Sequence, residues 1–230
     1  MSWYEWRTAQ GWRLFDDRDE WKQMDKLGHT WATYHLSWMY RLWAESCGYP
    51  PRQAQWMGAL LGWSFQLSIE VADGFFPKWG ASLWDVGWNT IGTGLFLLST
   101  HFKGWQTDIR FSFFPSPYAA QRPDLLGRGL AQILKDYNGQ TYWLVILYDK
   151  FPFGLALGHG ARGLLGGYGK EPAELLRQRE YRRWLLSLDP HWEKILNLPA
   201  WSIRIFVAIK TPFPALVYER AKIRLAWIYF

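Results

Sequence analysis

Three apolar segments each carry a short polar stripe: Asp25, Lys26 and His29 on the first, Gln66, Glu70 and Asp73 on the second, and Ser82, Asp85 and Asn89 on the third. Spacings of three and four residues place each set on one face of a helix. A histidine beside several carboxylates is what a general acid/base pair or a divalent-cation site requires. In that reading His29 and Glu70 exchange protons. Asp73 and Asp85 hold a metal or orient the base, and Asn89 donates a hydrogen bond to substrate. Each residue also has a plain structural reading. Asp25 and Ser82 suit helix caps, Asp73 a helix end and Asp85 a helix dipole. Asn89 suits a bridge between helices, and His29 a satisfied core histidine. Glu70, in mid-helix among apolar neighbours, fits a cap least. Carboxylates brought together away from water cannot all be charged without compensation from a proton, Lys26, His29 or a bound cation. A divalent cation is compatible with the cluster but not demanded by it.

The elements that must position these residues are three helices. Acids at Asp16-Asp17 and Asp19-Glu20 precede a helix expected over about Glu20–Ser46. Gly48-Tyr49-Pro50-Pro51 breaks it, and Pro51 starts a second helix running to Asp73. Ser82, with Asp85 three residues on, opens a third helix running to about Thr100. Beside the polar faces run aromatic ones. Trp31, Tyr34 and Trp38 are expected to face outward from the first helix, and Trp84 and Trp88 from the third, toward lipid or a partner. No segment is an unbroken apolar run of about 20 residues, so membrane-embedded and peripheral arrangements of this bundle both stay open.

Beyond about residue 105 the period changes to two. Ile109, Phe111 and Phe113 alternate with Arg110 and Ser112, Leu186 and Leu188 with Ser187 and Asp189, and Ile223, Leu225 and Trp227 with Lys222 and Arg224. Thr141–Tyr148 is β-branched and aromatic, and Asn138-Gly139 signals a turn. Gly154 to Gly169 fits neither a phosphate loop nor a dinucleotide fingerprint, and reads as close backbone packing or a bend. The expected class is therefore α+β. A three-helix, membrane-associated region (1–104) carries the polar cluster, and a small antiparallel, β-rich, basic region (105–230) packs on it.

With 230 residues the chain can bury a large core without staples, and its lone Cys47 excludes an internal disulfide and a cysteine metal site. Eighteen tryptophans, 19% aromatics and a formal net charge of +6 concentrate amphipathic rings and positive charge. Indoles favour the boundary between water and hydrocarbon, and the positive excess lies after residue 100, where it suits anionic headgroups. The basic tract at Arg177, Arg179, Arg182 and Arg183 is interrupted by Glu180 and follows Glu174, so it reads as a solvated face. No nucleic-acid module is present in the sequence. Met1 to Trp6 carries no signal-peptide pattern, so a processed amino terminus is expected if the protein is exported.

At these residues the chain resembles a known family. Glu20-Trp21-x-Gln23-Met24-Asp25-Lys26-x-Gly28-His29, Gln66-x-x-x-Glu70-x-x-Asp73-Gly74-Phe75 and Trp79-Gly80-x-Ser82-x-x-Asp85-x-x-x-Asn89-x-x-Gly92 are similar to the YfiM-like bacterial envelope proteins, in particular the long members of Bacteroidota-type bacteria. Lys135-Asp136-Tyr137-Asn138-Gly139-Gln140-Thr141-Tyr142-Trp143-Leu144 extends the likeness. The first half is more distantly similar to VanZ-like membrane proteins. The resemblance implies a cell-envelope location, on the outer-membrane or periplasmic side, and supplies no chemistry.

Three functions follow as expectations. The first is an accessory, structural envelope protein whose partners are membrane lipids and a larger protein complex. The second is a membrane-embedded hydrolase or transferase acting on a lipid-linked or cell-wall substrate through the Asp/Glu/His cluster. The third is binding or transport of a small ligand in the same place.

Overall fold

The computed structural model describes residues 11–76, 79–99, 101–166 and 180–229. Met1 to Trp6, Thr100, Gly167, Gly169, Glu174, Arg177 and Arg179, each drawn on in the sequence reading, lie outside the described residues. The architecture is α+β, with helices in the first half and a six-stranded antiparallel sheet in the second. The chain divides into two compact units, one running up to Arg18 and over Lys26–Leu97, the other comprising Asp19–Asp25 and Leu98 onward.

The first unit is built on α1 (Met24–Ser46), α2 (Pro51–Asp73) and α3 (Leu83–Leu98). Pro51 occupies the first turn of α2, where its missing N–H costs no bond. The helices approach closely because small residues meet at the contacts. A Cβ added at Gly62 on α2 would lie 2.5 Å from Ser37 Oγ of α1, and one at Gly92 on α3 would lie 2.5 Å from the Thr30 carbonyl oxygen. Neither leaves room for a methyl group. Residues 13–15 run beside the α2–α3 connection, with Leu14 bridged to Ala81 and the Arg13 N–H bonded to the Gly74 carbonyl at 2.9 Å.

Three expectations are corrected here. The first helix begins at Met24, not Glu20, because Trp21, Lys22 and Gln23 take left-handed backbone conformations (φ 50°, 53° and 62°). Non-glycine residues there are each strained by about 1 kcal/mol. The strain is held by contacts within the second unit. Arg182 donates to the Lys22 carbonyl at 2.9 Å and to Gln23 Oε1, Lys22 Nζ lies 3.2 Å from Glu180, and Trp21 packs on Tyr137. Tyr34 and Trp38 do not form an outward strip. Both are buried, Trp38 edge-on to Phe96 of α3 with its ring centroid 5.3 Å away. The Thr30-Tyr34-Trp38 stripe lies next to the Thr33-Ser37 stripe, so α1 buries a face wider than the sequence pattern implies. Finally, no described helix is long and apolar enough to cross a membrane, which leaves the membrane bundle unsupported. The most apolar, α3, has 16 residues and reaches about 24 Å, short of a hydrocarbon core of about 30 Å.

The second unit is a meander of β1 (Trp105–Phe113), β2 (Gln140–Tyr148), β3 (Phe153–Arg162), β4 (Tyr181–Pro190), β5 (Phe213–Glu219) and β6 (Lys222–Tyr229), paired in sequence order. Trp143, Val145, Leu147, Ala156, Leu185, Ala215 and Val217 form its buried core. The sheet is strongly curled. Strands β2 and β6 would be about 19 Å apart in a flat sheet, yet the Trp143 and Tyr229 rings meet with centroids 5.7 Å apart. The glycines of β3 permit this. A Cβ on Gly158 would lie 2.8 Å from the Trp143 ring, so part of the glycine-rich segment is the floor under an inward indole. Helix α4 (Ala200–Val207) precedes β5, and the residues after it run along β1, with Ile209 bridged to Phe111.

Candidate functional site

The polar stripes of α1, α2 and α3 meet inside the helical unit, around Lys26. Its side chain is fully buried, with Nζ 2.5 Å from Asp17 Oδ2 and 2.6 Å from Asp85 Oδ1. Ser82 caps α3: its Oγ accepts from the N–H groups of Trp84 and Asp85, both at 3.1 Å, and donates to Asp17 Oδ1 at 2.5 Å. The Ser82 N–H donates to Glu70 Oε2 at 3.2 Å, tying the start of α3 to the end of α2. A cap of this kind is worth about 1 kcal/mol, and here it also fixes two carboxylates.

His29 lies one turn beyond Lys26. Its Nδ1 is 3.2 Å from Asn89 Oδ1 and 3.6 Å from Glu70 Oε1, and its Nε2 is 3.7 Å from Asp85 Oδ2. Both ring nitrogens thus face acceptor oxygens, and Nδ1 donates to Asn89 Oδ1 in the tautomer or imidazolium that carries its proton there. Asn89 Oδ1 also accepts from Thr33 Oγ1 at 2.9 Å, and Thr30 Oγ1 donates to the Trp88 carbonyl at 3.1 Å, so α1 and α3 are bonded three times along this seam. The His29 side chain is 18% exposed, while those of Glu70 and Asp85 are 3% and 7% exposed.

Lys26, His29, Glu70, Ser82, Asp85 and Asn89 are thus together in space. Gln66 is buried one turn before Glu70 on α2. Asp73 stands at the end of α2, where its carbonyl accepts from the N–H groups of Phe76 and Gly80 at 3.0 Å. Asp25 belongs to the other unit and accepts a hydrogen bond from Tyr137 Oη at 2.7 Å. Trp84 is exposed, with the Arg18 guanidinium 5.3 Å above its ring, while Trp31 and Trp88 are half-buried. Asp17 is the member that sequence reasoning missed. Among the acids at residues 16, 17, 19 and 20 nothing in the spacing distinguishes it.

Chemically, the arrangement places one partly exposed imidazole against two carboxylates and an amide. That set could pass a proton. Lys26 bridges Asp17 and Asp85 and supplies one positive charge to the buried carboxylates Asp17, Glu70 and Asp85.

A second buried ionic network occupies the sheet unit. Arg110 Nη1 is 2.5 Å from Asp189 Oδ1, Lys210 Nζ is 3.2 Å from Asp189 Oδ2, and Arg204 reaches Glu193 at 2.7 Å and Asp108 at 3.8 Å. Asp108, Asp189 and Glu193 balance Arg110, Lys210 and Arg204. Burial lowers the pKa of the Lys210 ammonium; the charge of Asp189 and the hydrogen bond to it oppose this in part, and the nearby Arg110 charge adds to the lowering. Sequence alternation in β1 shows two faces but not which of them points inward.

Residues 9–101 match a protein family described as predicted periplasmic lipoprotein (DUF2279). The protein belongs to the bacterial cell envelope, on the periplasmic side. The match takes in all three helices and the whole Lys26 cluster and stops before β1, so it covers less than half of the chain. No curated protein and no solved structure matches it.

Proposed function

We propose that this chain is an accessory, structural protein of the cell envelope, membrane-associated and working as a partner within a larger envelope complex. The observation that carries the reading is Lys26. A fully buried ammonium clamped between Asp17 and Asp85 is built as a core, and ties the segment before α1 to the start of α3. Polar groups of this kind fix how helices pack. The YfiM-like and VanZ-like resemblances belong with this proposal, resting on residues that lie in and around the same cluster.

One observation favours a second reading, hydrolysis or group transfer on a lipid-linked or cell-wall substrate: His29, the most exposed of the ionic members, faces Glu70 and Asp85. Chromosomal Glu70→Gln in the native bacterium separates the two. The structural reading predicts lower protein abundance in the envelope fraction, with any envelope defect cured by raising expression. Normal abundance with a defect that expression does not cure supports catalysis and overturns the structural reading.

A further inference from the structure

The outer face of the sheet is apolar, while its inner face carries a buried ionic network beside the Trp143 core. Register places Leu144, Leu157, Leu186, Leu216 and Leu225 in one unbroken cross-strand row over β2 to β6. All five are on the outer face and are 37–47% exposed. The opposite face carries Arg110, Arg183 and Asp189, each nearly or fully inaccessible to solvent. An antiparallel sheet with one wet face normally alternates the other way, apolar in and polar out. An outer face as apolar as this one is the arrangement of strands that meet hydrocarbon.

Three further observations select a bilayer over a protein partner. Strands β1 to β4 have 9, 9, 10 and 10 residues, the length that crosses a hydrocarbon layer when tilted, while β5 and β6, with 7 and 8, reach part of the way. The leucine row is bordered by aromatics, with Trp184 paired to Tyr218 on one side and Trp105 packed on Tyr148 at the other strand end, as at the two edges of a membrane. Beyond Trp184 and Tyr218 the strand ends expose Arg182, Arg220 and Lys222, a basic rim where lipid phosphates would lie.

We propose that the outer face of the sheet is immersed in the hydrocarbon of an anionic phospholipid bilayer, with lipid phosphates on the basic rim at Arg220 and Lys222. This rests on the membrane association in the proposed function and adds the face and the lipid chemistry. Helix α4 likewise exposes apolar side chains, Trp201, Ile205 and Phe206, while Ile203, Arg204 and Val207 are buried.

The test uses the full chain with Cys47→Ser, reconstituted in phosphatidylglycerol/phosphatidylcholine vesicles. Single cysteines at Leu157, Leu186 and Leu216, and at Lys150 in the β2–β3 turn, carry a polarity-sensitive fluorophore. The three leucine sites are expected to emit in the blue and to be quenched by lipid-borne nitroxide and not by iodide, with Lys150 the reverse. Arg220→Gln/Lys222→Gln is expected to lower binding to the anionic vesicles roughly thirtyfold, with little change on phosphatidylcholine alone. Iodide quenching at the leucine sites in vesicle-bound protein overturns the proposal. So does protection of those sites without lipid, which would assign the face to a protein. Equal binding of the double variant to both vesicle types overturns the headgroup assignment. None of these outcomes depends on Glu70, so failure here is distinct from failure of the structural reading.

Discussion

Arg110 of β1 and Asp189 of β4 stand three strands apart in the sheet and meet at 2.5 Å across its concave face. Only a strongly curled sheet with a small-residue floor allows this, and Gly154, Ala156 and Gly158 of β3 supply that floor. Breaking a buried pair by removing one partner leaves the other charge stranded. Asp189→Leu is therefore expected to destabilise the sheet unit by about 3–5 kcal/mol. Arg110→Met/Asp189→Leu together is expected to recover only part of that loss, because Lys210 also loses its Asp189 partner. Denaturant unfolding followed by near-ultraviolet circular dichroism checks the cycle, and additive losses would show that the two side chains are not coupled.

Packing under Trp143 makes a second prediction. Gly158→Val places a branched side chain where even a Cβ is 2.8 Å from the ring. Overpacking of this kind costs about 1–3 kcal/mol. The variant is expected to unfold at lower denaturant and to shift the Trp143 fluorescence, and a Trp143→Leu background is expected to relieve it.

His191 sets a pH dependence. Burial lowers its pKa from the ordinary value of 6.5, against the opposing charge of Glu193. A group whose folded pKa is depressed binds more protons when unfolded, so stability is present above 6.5 and is lost as pH falls from there toward the folded pKa. His191→Gln is expected to flatten that acid-side slope in a stability-versus-pH series. An unchanged slope would place the titration elsewhere.

Much of the helical half was legible because its signals are local. Pro50-Pro51, the Ser82 cap and the three- and four-residue spacing of the polar stripes each act within one turn. Asp17 was not legible, since its role comes from a backbone bridge between Leu14 and Ala81 that no periodicity encodes. The burial of Tyr34 and Trp38 escaped for a related reason: a helix packed on two neighbours buries more than one stripe. In the sheet, Ile109, Phe111 and Arg110 announce a strand equally well with either face inward. The decisive fact is where Asp189 and Lys210 lie, far away in sequence, and it appears only when the strands are assembled.

If Lys26 clamps the core of the helical unit, its loss must loosen α1 and α3. Native-state hydrogen exchange of the α1 and α3 amides in the full chain reads it directly, because it reports the helical unit apart from the sheet. Lys26→Met strands Asp17 and Asp85 without their shared cation. The account predicts a fall of about 3–5 kcal/mol in the opening free energy of both helices, with the sheet amides unchanged. Protection of α1 and α3 equal to that of the unsubstituted chain would contradict it.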